Sequence, residues 1–167
     1  MTSYHIWTVG CQMNKADSER MGAGLEQLGL KWSQDPKNAD VIVLNSCVVR
    51  QQAEDRVVGM LTSLKPWKQR FPEKTLALMG CMVGPKKDDL LKRYPYVDLF
   101  MQPQQFEPLI ELVGDKVGVD PDGCVGPLVP GSPSVTTHVP IIHGCDKFCT
   151  FCIIPYRRGR EISRPTN

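Results

Sequence analysis

The stretch Asp40-Val41-Ile42-Val43-Leu44-Asn45-Ser46-Cys47 decides the fold. Its first part, Val41–Leu44, is apolar throughout, the pattern of a strand buried on both faces of a parallel sheet. Working outward, Ile6–Val9 reads as an earlier strand, and Thr75–Met79 and Val97–Met101 as later ones, with Leu30–Ser33 as a short addition. Helical patterns fill the intervals. One starts near Asn14, read as an N-cap with Asp17 three residues on, buries Met21, Leu25 and Leu28, and ends at Gly29. A second places Ala53, Val57, Met60, Leu61 and Leu64 on one face, and Pro66 is expected to disturb or end it. A third opens at Pro85 with Asp88 and Asp89 at its positive end, and a last covers Phe106–Val113 and stops at Gly114. Alternation of this kind predicts an α/β fold, an open parallel sheet flanked by helices of Rossmann or flavodoxin type.

That domain is expected over residues 1–113. In residues 114–133 nine of twenty residues are Gly or Pro, so 114–137 reads as a linker or an irregular hairpin. His138–Ile142 then looks like the first strand of a second unit, and 138–167 is too short to complete one. On this reading the chain is truncated.

Composition narrows the class. The hydrophobic fraction of 41% supports a real core. No apolar run approaches the roughly 18 residues of a membrane span and no signal peptide opens the chain, so a cytoplasmic protein without membrane association is expected. Residues 1–137 carry 15 Lys/Arg against 16 Asp/Glu, whereas 138–167 carry 5 against 2, including Arg157, Arg158, Arg160 and Arg164. Such a tail suits a phosphate-rich partner or an ordinary solvated surface.

Seven cysteines are many for a reducing compartment, where clustered thiols more often bind metal or do chemistry than form disulfides. Cys145, Cys149 and Cys152 form C-x3-C-x2-C on one short loop. Three thiolates so placed can hold three irons of a four-iron cube and leave the fourth open. The competing assignment is a zinc knuckle with His143 or His138 as fourth ligand, although no second ligand pair follows Cys152. Cys11, Cys47 and Cys81 lie 36 and 34 residues apart, each just after a predicted strand. In an open parallel sheet, ligands gather outside the carboxyl ends of the strands, so these three can converge. Cys124 falls in the Gly/Pro-rich stretch and receives no role; His5, His138 and His143 read as ordinary residues.

The motifs also resemble a known family. C-x3-C-x2-C with an aromatic Phe151 before its last cysteine is similar to the signature of radical S-adenosylmethionine enzymes. Gly10-Cys11-Gln12-Met13-Asn14 with Asp17-Ser18-Glu19, then Asn45-Ser46-Cys47-Val48-Val49-Arg50, then Gly80-Cys81, resemble the successive motifs of the methylthiotransferases. The run from Gly144 through Cys152 to Pro155-Tyr156, Arg158-Gly159-Arg160 and Ser163-Arg164-Pro165 is similar to the opening of their radical barrel.

The resemblance implies two 4Fe-4S clusters, one on Cys145, Cys149 and Cys152 that binds S-adenosylmethionine, and an auxiliary one on Cys11, Cys47 and Cys81. Phe151 would lie near the adenine of S-adenosylmethionine. No residue of this chain is assigned an acid–base or nucleophilic role. Gln12-Met13-Asn14 and Arg50 are more like the branch that modifies an isopentenylated adenosine beside the tRNA anticodon than the branch acting on a ribosomal protein. A branch acting on threonylcarbamoyl-adenosine is the nearest competitor. The implied partners are tRNA, bound mainly by domains beyond this chain, and an electron donor such as flavodoxin or ferredoxin. With most of the barrel missing, the chain alone is expected to be inactive. A non-enzymatic zinc-binding, nucleic-acid-binding module is the alternative from another class.

Overall fold

The computed structural model describes residues 2–119, 136 and 138–165. Five parallel strands form one sheet: β1 (Ser3–Thr8), β2 (Lys31–Trp32), β3 (Val41–Ser46), β4 (Thr75–Gly80) and β5 (Leu99–Met101). Their order is β2-β1-β3-β4-β5. Helices α1 (Gln12–Gln27), α2 (Gln51–Arg70), α3 (Asp88–Arg93) and α4 (Glu107–Val117) occupy the connections. This is the expected α/β architecture, with the strand order of flavodoxin-like sheets and its reversal of winding between β1 and β3.

The apolar run of β3 is explained by its two faces. Val41 and Val43 pack with Met21 and Leu25 of α1 and Leu109 and Val113 of α4. Ile42 and Leu44 pack on the other side with Val57, Leu61 and Leu64 of α2. All six β3 residues are buried, as are all six of β4. Burial of each large aliphatic side chain contributes about 1.5–3 kcal/mol, so the sheet's centre rather than its edges carries the stability. Register is tight: Thr8 lies beside Asn45, and Ser46 beside Gly80.

Several element boundaries differ from the sequence reading. Asn14 is not the cap of α1; Cys11 occupies that position, and Asn14 is buried three residues inside. Pro66 does not end α2, which runs on to Arg70. Pro66 and Thr62, whose carbonyl loses its partner to the proline, both face solvent, while Trp67 and Lys68 beyond are buried and hold the last turn in place. Helix α3 begins at Asp88 rather than Pro85, which lies at a bend, and the two aspartates do sit in its first turn. Helix α4 passes through the buried Gly114 and ends three residues later, with Gly118 in the left-handed region at φ 71° as its cap. Most of the expected linker, with Cys124, lies outside the described residues.

The expected strand over His138–Ile142 shrinks to β6 (Ile142–His143), paired antiparallel with β7 (Ile162–Ser163). Pro140 has no N–H to donate to a ladder, and Val139 and Ile141 are exposed. A short helix, α5 (Ile154–Arg158), lies between the two strands. Among the described residues no helix is long and apolar enough to cross a membrane.

Candidate functional site

Strands β1, β3 and β4 are neighbours, and the loop leaving each one carries a cysteine. Cys11 caps α1 after β1, Cys47 follows β3 directly, and Cys81 follows β4 directly. Neighbouring strands lie about 4.8 Å apart, and in a parallel sheet all three leave on the same side. Cys11 is exposed, while Cys47 and Cys81 are buried. Cys11 and Cys47 both line an open cleft of about 420 Å³ at the switch point, shared with Arg50 and Arg56. The structure therefore brings the three cysteines to one edge of the sheet.

Two glycines make this approach possible. Gly10 has φ +141°, and a side chain there would meet Asn14 Oδ1 at 2.5 Å and Cys47 Cβ at 2.9 Å. Gly80 has φ +100°, and a Cβ on it would run into the Ser46 carbonyl oxygen and lie 2.6 Å from Asn45 Oδ1. In each case the residue before the cysteine must lack a Cβ so that adjacent loops can touch.

A buried polar network fixes the loops to one another. Asn14 Nδ2 donates to Asn45 Oδ1 and to the Ser46 carbonyl, both at 2.9 Å. Asn45 Nδ2 donates to the Asn14 carbonyl at 2.7 Å and to Ser18 Oγ at 2.8 Å. Asn14 Oδ1 in turn accepts from the Cys11 N–H at 3.3 Å. Ser46 Oγ donates to the Met79 carbonyl at 2.6 Å and accepts from the Met82 N–H at 3.3 Å. Since an unmade bond in such a setting costs about 1–3 kcal/mol, the complete network holds the three loops in one arrangement. Sequence reading missed these roles. The available signal was the polar pair Asn45-Ser46 closing an otherwise apolar strand.

The second cysteine set is on the loop between β6 and α5. Cys145 and Cys152 are half-buried and Cys149 is exposed. The Cys145 N–H donates to the Gly159 carbonyl at 3.2 Å and the Cys152 N–H to the Cys149 carbonyl at 3.0 Å, which folds the loop back on itself. Phe151 is 92% exposed and packs on nothing described. Phe148 instead meets Tyr156 edge-on, with ring centroids 5.9 Å apart.

Two of the four arginines in this segment turn inward. The Arg158 side chain, 4% exposed, pairs with the fully buried Asp17 at 2.9 Å. Arg157 packs its guanidinium against Gly84, just beyond Cys81. Arg160 is exposed and pairs with Asp146 at 3.1 Å. Burial pushes the Cys81 thiol up, the charge of Arg158 pulls it down, and the nearby Cys47 and Cys11 add to the rise; the thiol ends above its ordinary value. Burial works against the Arg158 charge, but Asp17 and Cys81 outweigh it and hold the guanidinium protonated. Burial together with Arg20 keeps His143 below its ordinary value, and its Nδ1 lies 2.5 Å from Gln104 Nε2. His138 faces Glu19 at 3.0 Å.

The donor chemistry fits a sulfur-rich metal group. All six described cysteines are free thiols. Among the described residues no three His, Cys, Asp or Glu side chains are set to share a single metal ion. A cluster offers a separate iron to each thiolate and accepts ligands set farther apart.

The chain is similar to known proteins over most of its length. Residues 3–102 match the family described as Uncharacterized protein family UPF0004. Curated relatives named tRNA-2-methylthio-N(6)-dimethylallyladenosine synthase are similar over nearly the whole chain. The one from Roseiflexus sp. is 42% identical over 163 residues, covering 97% of this chain and 34% of the relative. Those from Dehalococcoides mccartyi and Chloroflexus aurantiacus are each 41% identical, covering 98% and 97% of this chain and 37% and 35% of the relatives. The chain thus spans about a third of the length of the curated relatives it matches.

Proposed function

We propose, from the premise that this chain belongs to the UPF0004 family, that it is the opening part of a tRNA methylthiotransferase acting on an isopentenylated adenosine beside the anticodon. The observation that carries the reading is the convergence of Cys11, Cys47 and Cys81 at the ends of three adjacent strands, with Arg157 of helix α5, which follows the Cys145–Cys152 loop, packed on Gly84 three residues past Cys81. The names of the relatives supply the substrate class. Domains beyond this chain would bind most of the tRNA, and an electron donor such as flavodoxin or ferredoxin would serve the reaction in the cytoplasm. The chain by itself is inactive on this reading.

Cys11, Cys47 and Cys81 would hold one 4Fe-4S cluster, and Cys145, Cys149 and Cys152 a second one that takes S-adenosylmethionine. Bound there, these groups supply one-electron carbon–sulfur chemistry that no side chain provides. The protein's part is positioning. The Asn14–Asn45–Ser46 network holds the first three thiols in register, and burial keeps Cys81 from water while Cys11 and Cys47 face the cleft. Phe151 offers an exposed ring for the adenine to stack on.

Anaerobic reconstitution of the chain with iron and sulfide tests this. Two clusters' worth of iron and acid-labile sulfide, with a brown absorbance, is the expected result, and Cys124→Ala leaves it unchanged. Stoichiometric zinc binding without sulfide overturns the reading in favour of a zinc module.

A further inference from the structure

The three-cysteine site has a fourth contributor, and it comes from the far end of the chain. Arg158 lies 141 residues from Asp17 in sequence, yet its Nη2 donates to Asp17 Oδ2 at 2.9 Å with both side chains almost wholly buried. Its Nη1 is also buried and has no conventional hydrogen-bond partner among the described residues. The sulfur that feels the guanidinium's charge is that of Cys81. Arg157, next in the chain, packs on Gly84 at the other end of the same loop, and its Nε is likewise buried and unpartnered. Two consecutive arginines thus lie against the loop that begins at Cys81.

A buried guanidinium needs a reason. Taking Arg158 out of water costs several kcal/mol, and a single hydrogen bond to one carboxylate oxygen recovers only part of that. Asp17 meets the guanidinium only through Nη2, and its own Oδ1 is likewise without a partner, so the pair is not bidentate. What remains beside the cation is a thiol. A thiolate, or a sulfur carrying negative charge from a bound cluster, is the acceptor this arrangement lacks, and N–H donors to such sulfurs tune cluster potentials.

We propose that Arg158 is a positioning residue of the Cys11–Cys47–Cys81 site: anchored by Asp17, it holds a fixed positive charge against the Cys81 sulfur and so stabilises the reduced, more negative state of the group bound there. The proposal rests on the cluster reading of that site. It also means that this site is completed only when the segment bearing Cys145–Cys152 is docked.

The test uses the whole chain with Cys145, Cys149 and Cys152 changed to Ser, reconstituted anaerobically so that only the first site can load. Its one-electron reduction is followed by electron paramagnetic resonance during potentiometric titration. Arg158→Gln is expected to favour the oxidised state roughly tenfold at fixed poise, a shift of about 59 mV to more negative potential. Arg158→Lys, which keeps the charge, stays near the parent. Asp17→Asn removes the compensating anion and moves the potential the opposite way. It also decides the matter if Arg158→Gln fails to load. Loaded variants with unchanged potentials, or shifts of the same sign from both sides of the ion pair, overturn the role of Arg158. Failure of the parent itself to take up iron and sulfide overturns the cluster reading and takes this proposal with it.

Discussion

Asn14 and Asn45 exchange hydrogen bonds in both directions: the Asn14 amide donates to the Asn45 side chain at 2.9 Å, and the Asn45 amide donates to the Asn14 carbonyl at 2.7 Å. Both residues are fully buried. Replacing Asn45 with Ala leaves one of the two Asn14 amide N–H groups without its acceptor and removes the Asn45 donor from the Ser18 hydroxyl, so a loss of about 2–4 kcal/mol is expected in urea unfolding. The exposed Asn38, whose side chain bonds Asp35 at 3.0 Å, is the control, and Asn38→Ala should stay within about 0.5 kcal/mol. Equal costs for the two variants would show that the network holds nothing.

Gly80 and Gly59 make a second pair of opposite sign. At Gly80 a methyl group meets the Ser46 backbone and the left-handed φ is strained, so Gly80→Ala is expected to cost at least about 2 kcal/mol. Gly59 sits inside α2 with nothing within 4 Å, and Gly59→Ala should gain about 0.5–1 kcal/mol. Thermal unfolding of the two variants reads both effects. Stabilisation by Gly80→Ala would mean the β4 loop is free to move away from β3.

The two cysteine sets should be separable by metal content. Cys47→Ala and Cys149→Ala are each expected to remove about half of the iron and sulfide taken up on anaerobic reconstitution, and the double variant nearly all. Full uptake by Cys47→Ala would exclude Cys47 as a ligand.

Asp40 supplies a pH dependence. Burial alone would raise its carboxyl, but the Thr2 N–H at 2.8 Å and Lys74 at 3.4 Å, with the Ser3 N–H, outweigh that and hold it below its ordinary value. The unfolded chain therefore binds the proton more readily than the folded one. The stabilisation from ionised Asp40 is full above the unfolded pKa of about 3.9 and is lost as pH falls through the lower folded value. Asp40→Asn should cost about 1 kcal/mol at neutral pH and progressively less in acid. A cost that stays constant down to the most acidic pH would refute the sign.

Much of this was readable in the chain itself, for identifiable reasons. Val41–Leu44 announces a central strand because both of its faces are covered, and burial leaves a continuous apolar run. The placement of Cys11, Cys47 and Cys81 was legible because each comes within a few residues after a strand. Pro66 misled because local propensity says nothing about the buried Trp67 and Lys68 that hold the helix past it. Asn14 was read as a cap because a polar residue at a helix start usually is one; its true partners are on β3. Arg158 was counted with a basic tail, and no periodicity could have revealed a partner 141 residues away.

The pairing of Ser46 with Gly80 continues one step further, since the Cys81 N–H donates to the Ser46 carbonyl at 2.9 Å. Cys47 and Cys81 therefore stand at the same height above the sheet. This makes the chain unequally tolerant of changes in length. Residues added in the turn after α2 or in the later parts of the other crossovers leave that height untouched, and the 36- and 34-residue intervals between the cysteines carry no information of their own. One residue deleted within Val41–Ser46 would withdraw Cys47 by about 3.3 Å and turn its thiol to the opposite face. Insertions for labelling or fusion belong in the later parts of the crossovers, and never in the three strands or the first residues after them that carry the cysteines.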